Sequence, residues 1–409
     1  MNLARGRGRR RPSGAIGAVV VGGDYQGLGI VRSLGRHGVP VVVIDDEPSI
    51  SRFSRYTWRA VRVSDLRDHA RVAETVLGVG RRLDLRGWVL YPTRDEVVAA
   101  FSRHRPELSA FYRVPTPEWD TIRWAWDKRL TYRLAADLGI ATPRTWSAAD
   151  VTALAGLDVA FPVTLKPAIK ERFIYRTNIK ALRADGPAEL ADAFRTACTV
   201  ITAEEVILQE YIPGGGETQF SYCAFVGRDG PVATMIARRA RQRPPEFARS
   251  STYVETVEMP ELEEPSWRLL AAIDYYGLVE LEYKLDQRDG RLKLLDFNPR
   301  TWGYHSIGGH AGVDFPYMLF CDQFARAVTQ CRARCGVSWV RMTTDLPTSL
   351  GEIARGRLGL RAYVESIWRI DSEAVFDRDD PLPAIAELAL LPHLLRSRGG
   401  HRWAAGAPA

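Results

Sequence analysis

Cysteine is scarce: Cys198, Cys223, Cys321, Cys331 and Cys335 are the five in 409 residues. An odd, scattered set excludes a disulfide framework and suits a reducing cytoplasm. Cys331 and Cys335 have no nearby His or further Cys to close a metal site, so both read as structural. No apolar run approaches the roughly 18 residues of a membrane-spanning helix, so no membrane span is expected. Excess charge is also missing from the body of the chain. Net charge is +7, and Arg5, Arg7, Arg9, Arg10 and Arg11 supply five of those charges. The near-neutral remainder argues against nucleic acid as a partner. Residues 1–14 read as a disordered basic leader. The stretch RGRRRPSGAIGAVVVGG is not a twin-arginine signal: its apolar run is short, Asp24 follows at once, and no small-residue cleavage site is evident.

What is present is globular in composition, at 46% hydrophobic and 26% charged. The length implies two or three domains. Residues 16–45 read strand, Gly-rich turn, helix, strand, a βαβ unit in an α/β fold. The turn carries Gly22, Gly23, Gly27 and Gly29, not the GxGxxG spacing of a dinucleotide fingerprint. Asp45 and Asp46 end the second strand, where such a fold often carries an acid for ribose. GWVLYPTRDEVVAAFSRH adds a strand and a helix. VPTPEWD marks a boundary near residue 115. One helix is then expected over TIRWAWDKRLTYRLAADLG, stopping at Gly139. Strands follow at FPVTLKPA and EEVILQEYI, with the helix GPAELADAFRTAC between them. A hairpin turns through Arg228–Gly230. The chain is less regular from about residue 331.

The hairpin VELEYKLDQRDGRLKLLDFN carries the chemistry. With a three-residue loop Arg288–Gly290, Gln287 faces Arg291, Glu282 faces Asp296 and Glu280 faces Asn298. With a two-residue loop Asp289–Gly290, Glu282 and Asp296 fall on opposite faces. In the first register, carboxylates and an amide oxygen converge. They repel unless a cation sits between them, and oxygen-only ligands suit Mg²⁺.

At these residues the sequence resembles the carboxylate–amine ligases of the ATP-grasp superfamily. Glu282, Asp296, Asn298 and Arg300 match the family's Glu and Glu-x-Asn-x-Arg, with Asp296 where Glu is usual. FPVTLKP resembles its strand ending in a phosphate-binding lysine, Lys166. LQEYIPGGGE resembles its hinge, Gln209, Glu210, Tyr211 and Ile212, where backbone bonds adenine and Glu217 holds ribose. Lys128 matches a further lysine of the ATP site. The resemblance covers roughly residues 16–330. It implies a Rossmann-like pre-ATP-grasp domain over 15–115, ATP-grasp subdomains over 116–210 and 211–330, and an extension over 331–409. It also implies ATP with Mg²⁺ or Mn²⁺, and a carboxylate substrate joined to an amine through an acylphosphate. Lys166 and Arg300 would hold the transferred phosphoryl group.

The Gly-rich lid common in the family is replaced here by AIKERFIYRTNIKA, where Lys170, Arg172, Arg176 and Lys180 offer positive charge. Lys180 is the favoured phosphate contact. Arg238, Arg239, Arg241 and Arg243 are candidates for a substrate carboxylate, and His305 for taking a proton from the amine. Amino acids or small peptides are the expected substrates, and a homodimer is compatible with the pattern. The rival readings are an NAD(P)-binding Rossmann oxidoreductase and an ATP-binding regulatory protein without turnover.

Overall fold

The computed structural model describes residues 3–5, 14–245, 247 and 250–399, without the side chains of 3–5 and 393–399. Most of the basic leader therefore lies outside the described residues. Within it, Leu3–Arg5 pair antiparallel with Arg59–Val61, so these three residues are strand where disorder was expected.

The N-terminal unit is built on parallel strands Thr57–Arg62, Val41–Asp45, Ala18–Val21 and Val89–Pro92, adjacent in that order. Their valine-rich runs are buried, as a sheet covered on both faces requires. Helices Tyr25–Arg36 and Asp95–Arg103 leave the carboxyl ends of two neighbouring strands. In an open parallel sheet that is the end where ligands bind. Asp24 caps the first helix, accepting the N–H groups of Gln26 and Gly27 at 3.0 and 3.3 Å.

A four-stranded antiparallel sheet follows, in the order Thr145–Trp146, Val206–Glu210, Val163–Pro167, Leu182–Ala184. The larger, eight-stranded sheet runs Arg291–Asn298, Gly277–Asp286, Gln219–Gly227, Gly230–Arg243, Ser250–Thr256, Ser338–Val340, Ser372–Glu373, with Cys331–Arg332 against Gly230–Arg243. The last segments belong to the stretch read as irregular. That stretch instead extends the large sheet and ties back to the N-terminal unit, where Arg32 meets Asp380 at 3.0 Å in a buried pair.

The single helix expected before Gly139 is two, Trp119–Trp126 and Lys128–Asp137. Asp127 breaks it: its backbone is extended, and its carboxylate caps the second helix by accepting from Arg129 N at 2.9 Å. The break places Lys128 at a helix start, with its backbone N–H on Ala168 O at 3.1 Å.

Candidate active site

The hairpin pairs Glu282 with Asp296 and Glu280 with Asn298, as the three-residue loop anticipates. The loop itself is different. Asp286 faces Arg291, leaving four residues, Gln287–Gly290, between them. Asp286 holds this loop by accepting from Arg288 N at 3.0 Å and Lys293 Nζ at 2.7 Å. The ladder from the loop to Tyr283–Leu294 is thus one residue out of step, and a bulge at Leu295 restores it.

The paired acids are not left facing one another unscreened. Arg239 Nη2 lies 2.6 Å from Glu282 and 3.0 Å from Glu280. Lys128 Nζ is bonded to Asp296. Asn298 Nδ2 donates to Glu282 at 2.9 Å and to Glu280 at 3.1 Å. Tyr304 donates to Glu280 at 2.5 Å. Burial alone would raise the Glu282 carboxyl, but Arg239 and Lys180 override it and hold it at about 2. Burial acts the same way on Asp296, and Lys128 and Lys180 hold it well below the usual range.

Arg300 is equally engaged. It donates to Asp95 at 2.6 and 3.1 Å and to Asn298 Oδ1 at 3.3 Å. Asp95 also accepts Lys170, the first residue of helix Lys170–Thr177. The lid-position segment is a helix over Lys170–Thr177, braced on the N-terminal unit through Asp95. Lys170 and Lys180 of that segment line the site. Arg172 instead pairs with Glu205, and Arg176 donates to Val200 O at 3.1 Å.

A cleft runs from these acids to the hinge. Lys128, Lys166, Lys170 and Lys180 line one end with Glu282 and Asp296; Gln209, Glu210, Tyr211, Ile212, Phe247 and Leu295 line the other. Lys166 donates to Tyr132 OH at 2.6 Å, and Tyr132 in turn donates to Leu295 O at 2.9 Å. Burial, with Lys128 nearby, pulls Lys166 down to about 7. Burial lowers Lys180 as well. The Glu210 side chain pairs with Lys293 at 2.9 Å and Arg288 at 3.2 Å.

Five expected contacts lie elsewhere. Glu217 is exposed and folds back to accept Gly215 N at 2.8 Å; the polar side chains lining that part of the cleft are Gln219, Gln242 and Lys284. The neighbouring Gly216 is required by packing, since a Cβ there would stand 2.3 Å from Arg239 O. Of the arginines on strand Gly230–Arg243, Arg239 alone reaches the acids. Arg238 pairs with Glu255 at 2.6 Å, Arg241 with Asp345 at 2.8 Å, and Arg243 is exposed. Two register shifts between Arg238 and Gln242 separate their directions. His305 is buried against the first N-terminal helix, with Nδ1 at 2.9 Å from Trp302 O, and a Cβ at Gly29 would lie 2.7 Å from its Nε2. It is a packing histidine, and burial lowers its pKa.

A second cavity shares Lys170, Lys180, Glu282 and Asp296 with the first. Its other walls bring in Asp95, Glu96 and Glu171, which the sequence reading passed over. The available signal was TRDE at the carboxyl end of a parallel strand. Asp45 and Asp46 do not serve a ribose: Arg94 meets them at 2.8 and 2.7 Å, and Gly23 N reaches Asp45 at 2.6 Å.

Among the described residues, no group of three or more His, Cys, Asp or Glu could hold a metal ion, and no helix is long and apolar enough to cross a membrane. The oxygen donors Glu282, Asp296 and Asn298 still fit a hard cation in kind, provided Lys128 and Arg239 yield their carboxylates.

No protein-family model matches the chain. It is 25% identical over 225 residues to D-aspartate ligase of Enterococcus faecium (strain Aus0004), which is 52% of this chain and 53% of the relative. The chain thus spans about half the length of that curated relative. Its structure superposes on L-amino acid ligase from Bacillus licheniformis with a TM-score of 0.59 at 16% identity, covering 75% of this chain and 74% of the other. The biotin carboxylase domain of Hydrogenobacter thermophilus 2-oxoglutarate carboxylase, crystallised with MgADP, ADP and bicarbonate, matches with a TM-score of 0.61 at 15% identity, covering 79% and 73%. The chain shares the mixed α/β fold of these ATP-grasp neighbours and resembles the carboxylate–amine ligases of that superfamily.

Proposed function

We propose that the protein is an ATP- and Mg²⁺-dependent ligase that joins a carboxylate to an amine through an acylphosphate. The observation carrying this reading is the Glu282–Asp296 pair, set where a lysine-lined cleft meets a second cavity. Residues 15–115 act as the pre-ATP-grasp domain. Residues 116–210 and 211–330 act as the two ATP-grasp subdomains, with 331–409 as an extension.

Adenine lies at the hinge between Gln209 and Ile212. The N–H groups of Glu210 and Tyr211 are spent on Arg144 O and Pro162 O, so Ile212 is the hinge donor proposed for the base. Lys284, Gln219 and Gln242 take the sugar in place of Glu217. Lys128, Lys166, Lys170 and Lys180 receive the phosphates. Lys128 and Lys170 carry positive charge into a buried cleft, where it acts with little screening, and Lys166 gains its charge as phosphate binds.

Glu282, Asp296 and Asn298 would hold Mg²⁺, which when bound neutralises phosphate charge. The protein's own task is positioning, since phosphoryl transfer asks little covalent chemistry of side chains. Arg300 orients the carboxylate and then the acylphosphate. The D-aspartate and L-amino acid ligases support an amino acid substrate, and the MgADP complex supports the cofactors.

An NAD(P) site gains no support from the N-terminal unit. The carboxylate of Asp24 occupies the helix start where a pyrophosphate would sit.

ADP release measured across a panel of amino acid pairs, with mass detection of products, tests the reading. Amide product with stoichiometric ADP is expected. Intact Mg·ATP binding with a flat panel would point to the regulatory alternative.

A further inference from the structure

The second cavity is lined by charges of both signs, Arg239 and Arg300 among them. Arg239 is 5% exposed, and its Nε has no hydrogen-bond partner among the described residues. A buried donor left unpaired is costly and marks where an anionic group is wanted.

The lining also holds Glu96, in the first turn of helix Asp95–Arg103, and Glu171, in the first turn of helix Lys170–Thr177. Glu96 is 4% exposed and accepts Tyr175 OH. The Glu171 carboxylate takes a hydrogen bond from its own backbone N–H, and no other is seen among the described residues. Its nearest cation is Lys170 Nζ at 3.6 Å, already engaged by Asp95. Burial raises Glu171 to about 7 against the pull of Lys170, and Asp95 and Glu96 add to the rise. Burial also raises Glu96, which faces Tyr175, Arg94 and Asp95.

A buried carboxylate held by a hydroxyl, beside a largely buried one whose lysine is already engaged, favours a further cation between them. A carboxylate titrating near neutrality is matched to taking a proton from an amine.

We propose that this cavity is the amine subsite: a primary ammonium group lies between Glu96 and Glu171, and Glu171 takes the proton that frees the nitrogen to attack. The ammonium gives one proton to the Glu171 carboxylate. The nitrogen lone pair then forms the C–N bond at the acyl carbon. The bond from that carbon to the phosphate oxygen breaks, and the nitrogen's second proton leaves with inorganic phosphate. This inference rests on the ligase reading.

The test compares two nucleophiles on Glu171→Gln. Mg·ATP and a panel of amino acids as carboxyl donors are supplied with either a second amino acid or hydroxylamine. Hydroxylamine is small and largely neutral at pH 7, so it captures an acylphosphate without a base. Amide formation is expected to fall on the order of 10²-fold or more at pH 7, and to recover as pH approaches the amine's own pKa. Hydroxamate formation is expected to persist. Glu96→Gln is expected to raise KM for the amine and leave hydroxamate formation intact. Parallel loss of both products in Glu171→Gln, with unchanged circular dichroism, overturns the assignment, and so does retention of both. If the wild-type protein forms no hydroxamate with any donor, the ligase reading itself falls, and this inference with it.

Discussion

Glu282 and Asp296 face one another across paired strands because Leu295 is an extra residue in its ladder. A four-residue loop alone would set Leu295 opposite Glu282 and turn Asp296 to the other face. Lys128 and Arg239 then hold the two carboxylates in ion pairs that a bound cation must replace.

Glu282→Gln and Asp296→Asn are each expected to lower ADP formation on the order of 10²–10³-fold, the scale for losing one electrostatic contact at a reacting group. Circular dichroism should keep its shape. Asp296→Asn should also lower Tm, because Lys128 is left buried without its carboxylate. Unchanged turnover in both variants would refute the metal assignment.

Arg239→Gln removes the cation that Glu280 and Glu282 share. Breaking a buried pair in this way costs about 3–5 kcal/mol. The variant should be less stable without Mg²⁺ and should gain more Tm from added Mg²⁺ than the wild-type protein does. Differential scanning fluorimetry with and without the ion reads both effects. Equal Mg²⁺ responses would place the ion elsewhere.

Lys166 supplies a pH signature. Its pKa is about 7 folded against 10.5 for the free side chain. Between those values the unfolded chain binds more protons, so this residue's contribution makes stability rise with pH. Its full cost is present below pH 7. Phosphate should restore the charged form, so Mg·ATP binding at pH 8 should take up close to one proton. Calorimetry in buffers of differing ionisation enthalpy measures that uptake, and Lys166→Met should abolish it.

Glu217→Ala should leave KM for ATP unchanged, whereas Lys284→Ala should raise it severalfold. Lys284 donates to Gly214 O at 2.7 Å and lines the cleft, which Glu217 does not. A raised KM in Glu217→Ala alone would return the ribose contact to its expected place.

The succession of strands along the chain was legible because it rests on periodicity and turn residues, whereas the Glu282–Asp296 facing matches the three-residue-loop register only because the bulge at Leu295 offsets a longer loop. The loop length was not legible, since a bulge leaves no mark in a stretch such as Leu292–Leu295. Nor was the break at Asp127, where a capping aspartate sits inside a helical pattern. Arg239 could not be told from Arg238 and Arg241, because shifts in the strand decide which of them turns inward. Asp95, Glu96 and Glu171 come from two separate helices and meet only through the docking of one on the other.

The central claim is an acylphosphate formed at the Glu282–Asp296 site. Its most direct measurement uses a carboxyl donor labelled with ¹⁸O in both carboxylate oxygens. The account predicts one labelled oxygen in the released inorganic phosphate and one in the amide product. Unlabelled phosphate alongside amide product would contradict it.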